Sequence, residues 1–140
     1  MSNHLTTVIL EDQSFFGGNT AKLYRKSESF IRIVYIENEM KEKRFKFVPK
    51  DEFFILIEDL LQKHEFLGLP ENPSRPGVPD EAHPKITLRF DSGEVKKVWK
   101  WANDPIPDFD PFYSAILDYI NQIEKSIKPV YKGKFDPTFQ

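Results

Sequence analysis

Apolar and polar positions alternate with a period of two over most of the first fifty residues. Leu5 to Leu10 forms a first apolar stretch and stops at Glu11 to Asn19, a turn-like segment that holds Gly17 and Gly18 and carries Phe15 and Phe16. A strand over Thr20 to Lys26 meets Ser27-Glu28-Ser29 and returns as Phe30 to Glu37, which reads as a hairpin. Asn38 to Lys43 is polar and turn-like. Phe45 and Phe47 then alternate with Arg44 and Lys46 in a fourth strand that ends at Pro49.

From Asp51 the period lengthens to three or four. Phe53, Phe54, Ile57, Leu60, Leu61 and His64 fall on one stripe, which predicts a helix with Asp51 as N-cap, Glu52 at the positive end of its dipole, and Gly68 before Pro70 as its stop. Pro70, Pro73, Pro76, Pro79 and Pro84 follow within fifteen residues. Such a segment is a stiff ordered loop or a flexible linker, and its length suits functional use. A hairpin is expected next, with Ile86, Leu88 and Phe90 alternating with Lys85, Thr87 and Arg89 before Asp91-Ser92-Gly93-Glu94 turns the chain into Val95 to Trp101. A second helix is expected with Asp110 as N-cap and Pro111 at the first helical position, its apolar face running from Phe112 to Ile127. The tail, 129–140, has no periodicity, although Val130, Tyr131, Phe135 and Phe139 suggest that it packs.

The hairpin register carries the sharpest expectations. A two- or four-residue turn sets Phe90 opposite Val95, Leu88 opposite Lys97 and Ile86 opposite Trp99, so Trp99 joins the core and Trp101 lies near it on the same side. The opposite face then pairs Arg89 with Lys96 and Lys85 with Lys100. Like charges across a ladder are unfavourable by up to ~1 kcal/mol per pair, so something must neutralise them. Asp104, Asp108, Asp110, Glu58 and Asp59 are the internal candidates. An acidic partner or a phosphate-bearing ligand is the external one. The candidate binding set is therefore Lys85, Arg89, Lys96, Lys100, Trp101 and Asp104.

Composition narrows the classes. The 140 residues, 39% of them hydrophobic, suit one domain spanning 1–140. Twenty basic residues balance twenty-two acidic ones, evenly between the two halves, so neither half is a polyanion-binding arm and nucleic acid is not the expected partner. The longest apolar run, Phe53 to Ile57, falls far short of the ~20 residues that span a bilayer. No membrane association is expected, the start lacks the pattern of a secretion signal, and a cytoplasmic location follows as the expectation. Without cysteine there is no disulfide framework, thiol nucleophile or Cys-based metal site.

Asp80, Glu81 and His83 gather two carboxylates and an imidazole in one loop, a minimum set for proton transfer or part of a metal site. The plainer reading makes Asp80 a turn residue and leaves His83 in solvent. His64-Glu65 begins like a zinc-protease helix, but the position of the second histidine is Gly68. Asp104, Asp108 and Asp110 are broken by prolines and read as a helix cap plus loop. Nucleotide cradles and serine elbows are absent, and no cofactor or metal is expected.

An early Gly-Gly beside the first hairpin, a helix running into Phe-Leu-Gly-Leu-Pro at 66–70, Pro-Asp-Glu at 79–81, a strand with a Ser-Gly turn and a Lys-Lys-Val strand over 86–98, and a closing helix together resemble a family of small bacterial α+β domains of unknown function. The resemblance implies a fold and no activity. The expected architecture is one α+β domain in the order β-β-β-β-α-β-β-α, with an antiparallel sheet of five or six strands and two helices on one face. Two functions are carried forward. One is a non-catalytic protein-interaction domain of inhibitor, immunity or adaptor type with an acidic protein partner. The other is a small hydrolase or metal-dependent enzyme using Asp80, Glu81 and His83 with the acids of 104–110.

Overall fold

A computed structural model describes residues 3–14, 17–77 and 81–139. Its strands are β1 (Leu5–Ser14), β2 (Gly17–Tyr24), β3 (Ser29–Glu37), β4 (Glu39–Phe47), β5 (Lys85–Phe90), β6 (Val95–Trp99) and β7 (Tyr131–Lys134). Its helices are α1 (Asp51–Lys63) and α2 (Asp110–Ser126), with one 3-10 turn at Phe66–Gly68. The strands form one antiparallel sheet in the order β6-β5-β1-β2-β3-β4-β7. The α+β class stands, and the sheet has seven strands rather than five or six. The extra strand comes from the tail expected to be irregular, where Tyr131 to Lys134 pairs with Arg44 to Lys41.

One sheet face is apolar and carries both helices. Val8, Leu10, Ala21, Leu23, Ile31, Phe45, Ile86, Leu88 and Val98 share it, and they pack with Phe53, Phe54 and Ile57 of α1 and Phe112, Ile116 and Ile120 of α2. Phe66 and Phe109, both fully buried, fill the space where the chain leaves α1 and enters α2. Two- and 3.6-residue periods thus converge on one core.

Differences from the expected boundaries have local causes. β1 and β2 run on through the segment expected as a turn, pairing Glu11 with Thr20 and Asp12 with Asn19. Polar side chains suit this end of the ladder because Glu11 reaches water while Asp12 meets Tyr113 of α2. Gly17 makes the hairpin possible: its φ is +116°, and a Cβ there would lie 2.5 Å from the Val34 carbonyl oxygen. The chain reverses again at Asn38, with φ 66°, a left-handed conformation that asparagine tolerates. Neither expected N-cap acts as one. Asp51 is already helical and its carboxylate binds Arg25 at 2.6 and 3.2 Å, whereas Asp110 accepts from the Ile106 N–H at 3.0 Å and from Lys100 at 2.6 Å. Pro111 is the second helical residue rather than the first, still inside the first turn that its fixed φ suits.

Candidate functional site

The second hairpin decides what the helix-free face presents. Its loop has three residues: the Phe90 N–H donates to the Glu94 carbonyl, and Gly93 takes φ +91°. The odd count slips β6 by one position, pairing Arg89 with Val95, Leu88 with Lys96, Thr87 with Lys97, Ile86 with Val98 and Lys85 with Trp99. A one-residue slip reverses every side chain of the strand. Val98 therefore enters the core, and Trp99 and Trp101 turn to the helix-free face. The expected pairs of Arg89 with Lys96 and Lys85 with Lys100 do not occur.

Lys96 and Lys100 instead point to the helix side. Lys96 donates to the Leu69 carbonyl, and Lys100, 5% exposed, donates to the Asp104 carbonyl at 2.8 Å and to Asp110 at 2.6 Å. Long stems let both ammoniums cross the apolar layer to reach acceptors beyond it. Of the four expected cations, only Lys85 and Arg89 remain on the open face.

Lys97 joins them there. It stands opposite Thr87, so Lys85 and Arg89, two residues to either side of Thr87, are its diagonal neighbours at roughly 7–8 Å between backbones. One strand pair further on, Ile9 faces Thr87 and Lys22, Lys22 faces Phe30, and Phe30 faces Lys46. Lys22, Lys46, Arg89 and Lys97 are exposed and Lys85 is half-buried. None of the five makes an ion pair with a described carboxylate. Glu11, opposite Lys85, is the acid nearest in the ladder. Sequence reasoning missed Lys22, Lys46 and Lys97, because their membership of one face depends on strand order and on the odd turn.

Of the internal acids expected to neutralise this face, Asp104, Asp108, Asp110 and Glu58 are engaged elsewhere, and Asp59, on the exposed side of α1, does not pair with it. Arg75 holds Asp104 at 2.8 Å and Glu81 at 2.6 Å, Lys100 holds Asp110, His64 lies 3.6 Å from Asp108, and Arg25 and His4 lie at Glu58. Arg75 also lies 5.6 Å above Trp101, against whose ring Gly77 packs so closely that a Cβ would come within 2.3 Å. The Trp99 indole N–H donates to Asn72 at 2.6 Å and that of Trp101 to the Arg75 carbonyl at 3.0 Å. The described part of the proline-rich segment, 70–77, is therefore pinned to the sheet edge.

His83, exposed, sits edge-on to Trp99 and Trp101 with ring centroids 5.6 and 5.9 Å away. Asp80 lies outside the described residues. Glu81 and Asp104 meet through a shared guanidinium, while His83 faces a small pocket lined by Glu11, Asp12, Thr20 and Lys85. Burial raises the Asp12 carboxyl, against the hydrogen bond from the Tyr113 hydroxyl and the charge of His83; burial and Asp12 together raise the Tyr113 phenol. No group of three or more His, Asp or Glu side chains suited to a metal ion forms among the described residues.

The β3–β4 half of the open face is covered by the tail. Glu42, fully buried, binds Arg32 at 3.0 and 2.7 Å and Arg44 through Nε, and it accepts the Asp136 N–H at 2.7 Å. Phe139 lies over both guanidiniums and Phe135 over Arg32. Burial alone raises the Glu42 carboxyl, but these donors outweigh it and hold the group down at about 2.

No family model, curated protein or solved structure matches the chain.

Proposed function

We propose that the chain is a non-catalytic protein-interaction domain, of inhibitor, immunity or adaptor type, that takes an acidic protein partner on its helix-free face. The observation carrying this reading is the cluster of Lys85, Arg89 and Lys97 around Thr87, continued by Lys22 and Lys46, with no described acid paired to any of them. Close like charges cost stability, and an incoming acidic surface removes that cost while steering its own approach. With a net charge of −2 the chain as a whole is not polycationic, so the basic character is local. Single-stranded nucleic acid would also use a basic sheet with aromatic rings. The indole of Trp99, however, is flanked by His83 and Trp101, and Glu11 stands opposite Lys85 beside the row, which favours protein.

The enzyme reading has less support. Glu81 and Asp104 share the Arg75 guanidinium, Asp110 pairs with Lys100, and His83 lines a small pocket that holds none of the three. Affinity capture from the source cell, with wild type and with the triple variant Lys85→Glu, Arg89→Glu, Lys97→Glu, tests the proposal. An acidic protein should be retained by wild type and lost by the folded variant, and its association with wild type should slow steeply with salt. Equal capture by both proteins, or capture of a nucleic acid in its place, refutes it.

A further inference from the structure

The strongest feature outside the sheet face is the groove between α1 and α2. The helices run antiparallel and touch where Phe53 stacks on Tyr119, 4.4 Å between centroids, and where His64 meets Phe112. Beside the first of these contacts lies a groove of about 640 Å³. Its apolar wall is Phe53, Leu56 and Leu60 from α1, facing Ala115 and Tyr119 from α2. Leu56 and its neighbour Ile55 are 47% and 45% exposed, an apolar ridge on the wet side of a helix. The lining runs from Glu52 to Leu60 on α1 and from Pro111 to Gln122 on α2, roughly 12 and 17 Å of helix.

We propose that this groove docks a basic amphipathic helix of a partner protein. The charges choose the occupant. α1 and α2 carry seven acids, Asp51, Glu52, Glu58, Asp59, Asp110, Asp118 and Glu124, against only Lys63 and Lys125. Asp51 and Glu58 are held by Arg25, Asp110 by Lys100 and Glu124 by Lys43. Glu52, Asp59 and Asp118 have no described cation within ion-pair distance, and Glu52 and Asp118 belong to opposite walls of the groove. The one cation of the lining, Lys50, is paired with neither. A helix with leucine-sized residues on one side fills the slot by the i, i+3, i+7 pattern, and a lysine or arginine on its flank meets two unpaired carboxylates. A second copy of this chain does not fit. A two-fold contact through the groove would bring Glu52 and Asp118 of both copies together, with Lys50 the one cation each copy sets against its two carboxylates, so the contact is net like-charged.

The proposal is independent of the sheet-face partner, because it uses the other layer and the opposite charge. Its probe is a synthetic peptide of about 18 residues built from leucine and lysine with leucines at i, i+3, i+4 and i+7, alongside a scrambled peptide and one with glutamate for lysine. Fluorescence anisotropy and amide chemical-shift mapping on the full chain are the readouts. Saturable binding is expected, with shifts confined to 50–60 and 111–122. Leu56→Asp and Asp118→Lys, both exposed, should each weaken it at least about tenfold, and neither control peptide should bind. If Leu56→Asp disturbs the fold, Asp118→Lys decides alone. Equal binding of the scrambled or acidic peptide overturns the proposal, as do shifts on the sheet face. So do a wild-type dimer that Leu56→Asp dissociates, or a fatty acid that occupies the groove in the peptide's place.

Discussion

Replacing Glu42 with glutamine removes one buried charge and leaves two guanidiniums facing each other. The side chains of Arg32 and Arg44 are only 10% and 13% exposed, so neither can turn fully into water. The carboxyl sits at about 2 in the folded chain against its ordinary 4.5. That distance, at 1.36 kcal/mol per pH unit, sets a ceiling of roughly 3.4 kcal/mol on what the charged form contributes. Water at the outer edges of the guanidiniums screens the cluster, which brings the expected loss in Glu42→Gln to about 2–3 kcal/mol at pH 7. The sign with pH is fixed by the lowered value: the contribution is complete above about 4.5 and disappears as pH falls through about 2. Wild type should therefore approach the variant in stability on acidification, and the variant should lack that part of the pH dependence. Urea unfolding at pH 7 and at pH 3 measures both quantities. A difference below about 1 kcal/mol at pH 7, or one of equal size at both pH values, would show that the charged Glu42 carboxylate does not stabilise the fold through Arg32 and Arg44.

Two further outcomes follow from single positions. Gly17→Ala should lower stability by at least about 2 kcal/mol through its positive φ and the approach of Val34, whereas Gly93→Ala, with a similar φ but open space around it, should cost only about 1; equal losses in thermal unfolding would contradict the close approach. Asp12→Asn should be as stable as wild type at pH 7 or up to about 1 kcal/mol more so, because burial penalises the charged carboxylate while an amide oxygen still accepts from Tyr113. Wild type should close that gap as acid protonates Asp12, and a clear loss of stability in the variant at pH 7 would refute the reading.

The helices were legible because a 3.6-residue stripe survives any tertiary context, and Pro111 marks a helix start whatever surrounds it. The first four strands were legible as alternation, though not in length, since the ends of β1 and β2 are polar and owe their pairing to Gly17 and to Tyr113. The second hairpin was legible as a hairpin and misread in register. Asp91-Ser92-Gly93-Glu94 accommodates loops of two, three or four residues, and Val95-Lys96-Lys97-Val98-Trp99 puts a lysine on the helix side in either phase. Distant acceptors settle it, the Leu69 carbonyl for Lys96 and Asp110 for Lys100. The basic face was thus expected with the wrong members, and only Lys85 and Arg89 keep their places. β7 left no signal in Tyr131-Lys132-Gly133-Lys134. The clue lay elsewhere, in Tyr131, Phe135 and Phe139 at intervals of four, positioned to stack on arginines of β3 and β4.

The strand order has a consequence for how the chain reaches this state. β1 lies near the middle of the sheet, between β2, which follows it directly, and β5, whose Leu88 pairs with Val8. As the polypeptide emerges during synthesis, the β1–β4 meander can assemble at once, since each of its pairings is local. Until residues 85–90 arrive, however, β1 is an edge, with its backbone groups bare on one side and Leu5, Val8 and Leu10 short of a neighbour. The other border of the meander, β4, waits still longer for β7. Both unsatisfied borders are closed only by residues beyond 84, so a nascent or C-terminally shortened polypeptide leaves β1 and β4 as bare edges that the finished sheet pairs with β5 and β7. The dangerous interval for aggregation is therefore set by topology, and slowing synthesis between α1 and β5 should lengthen it.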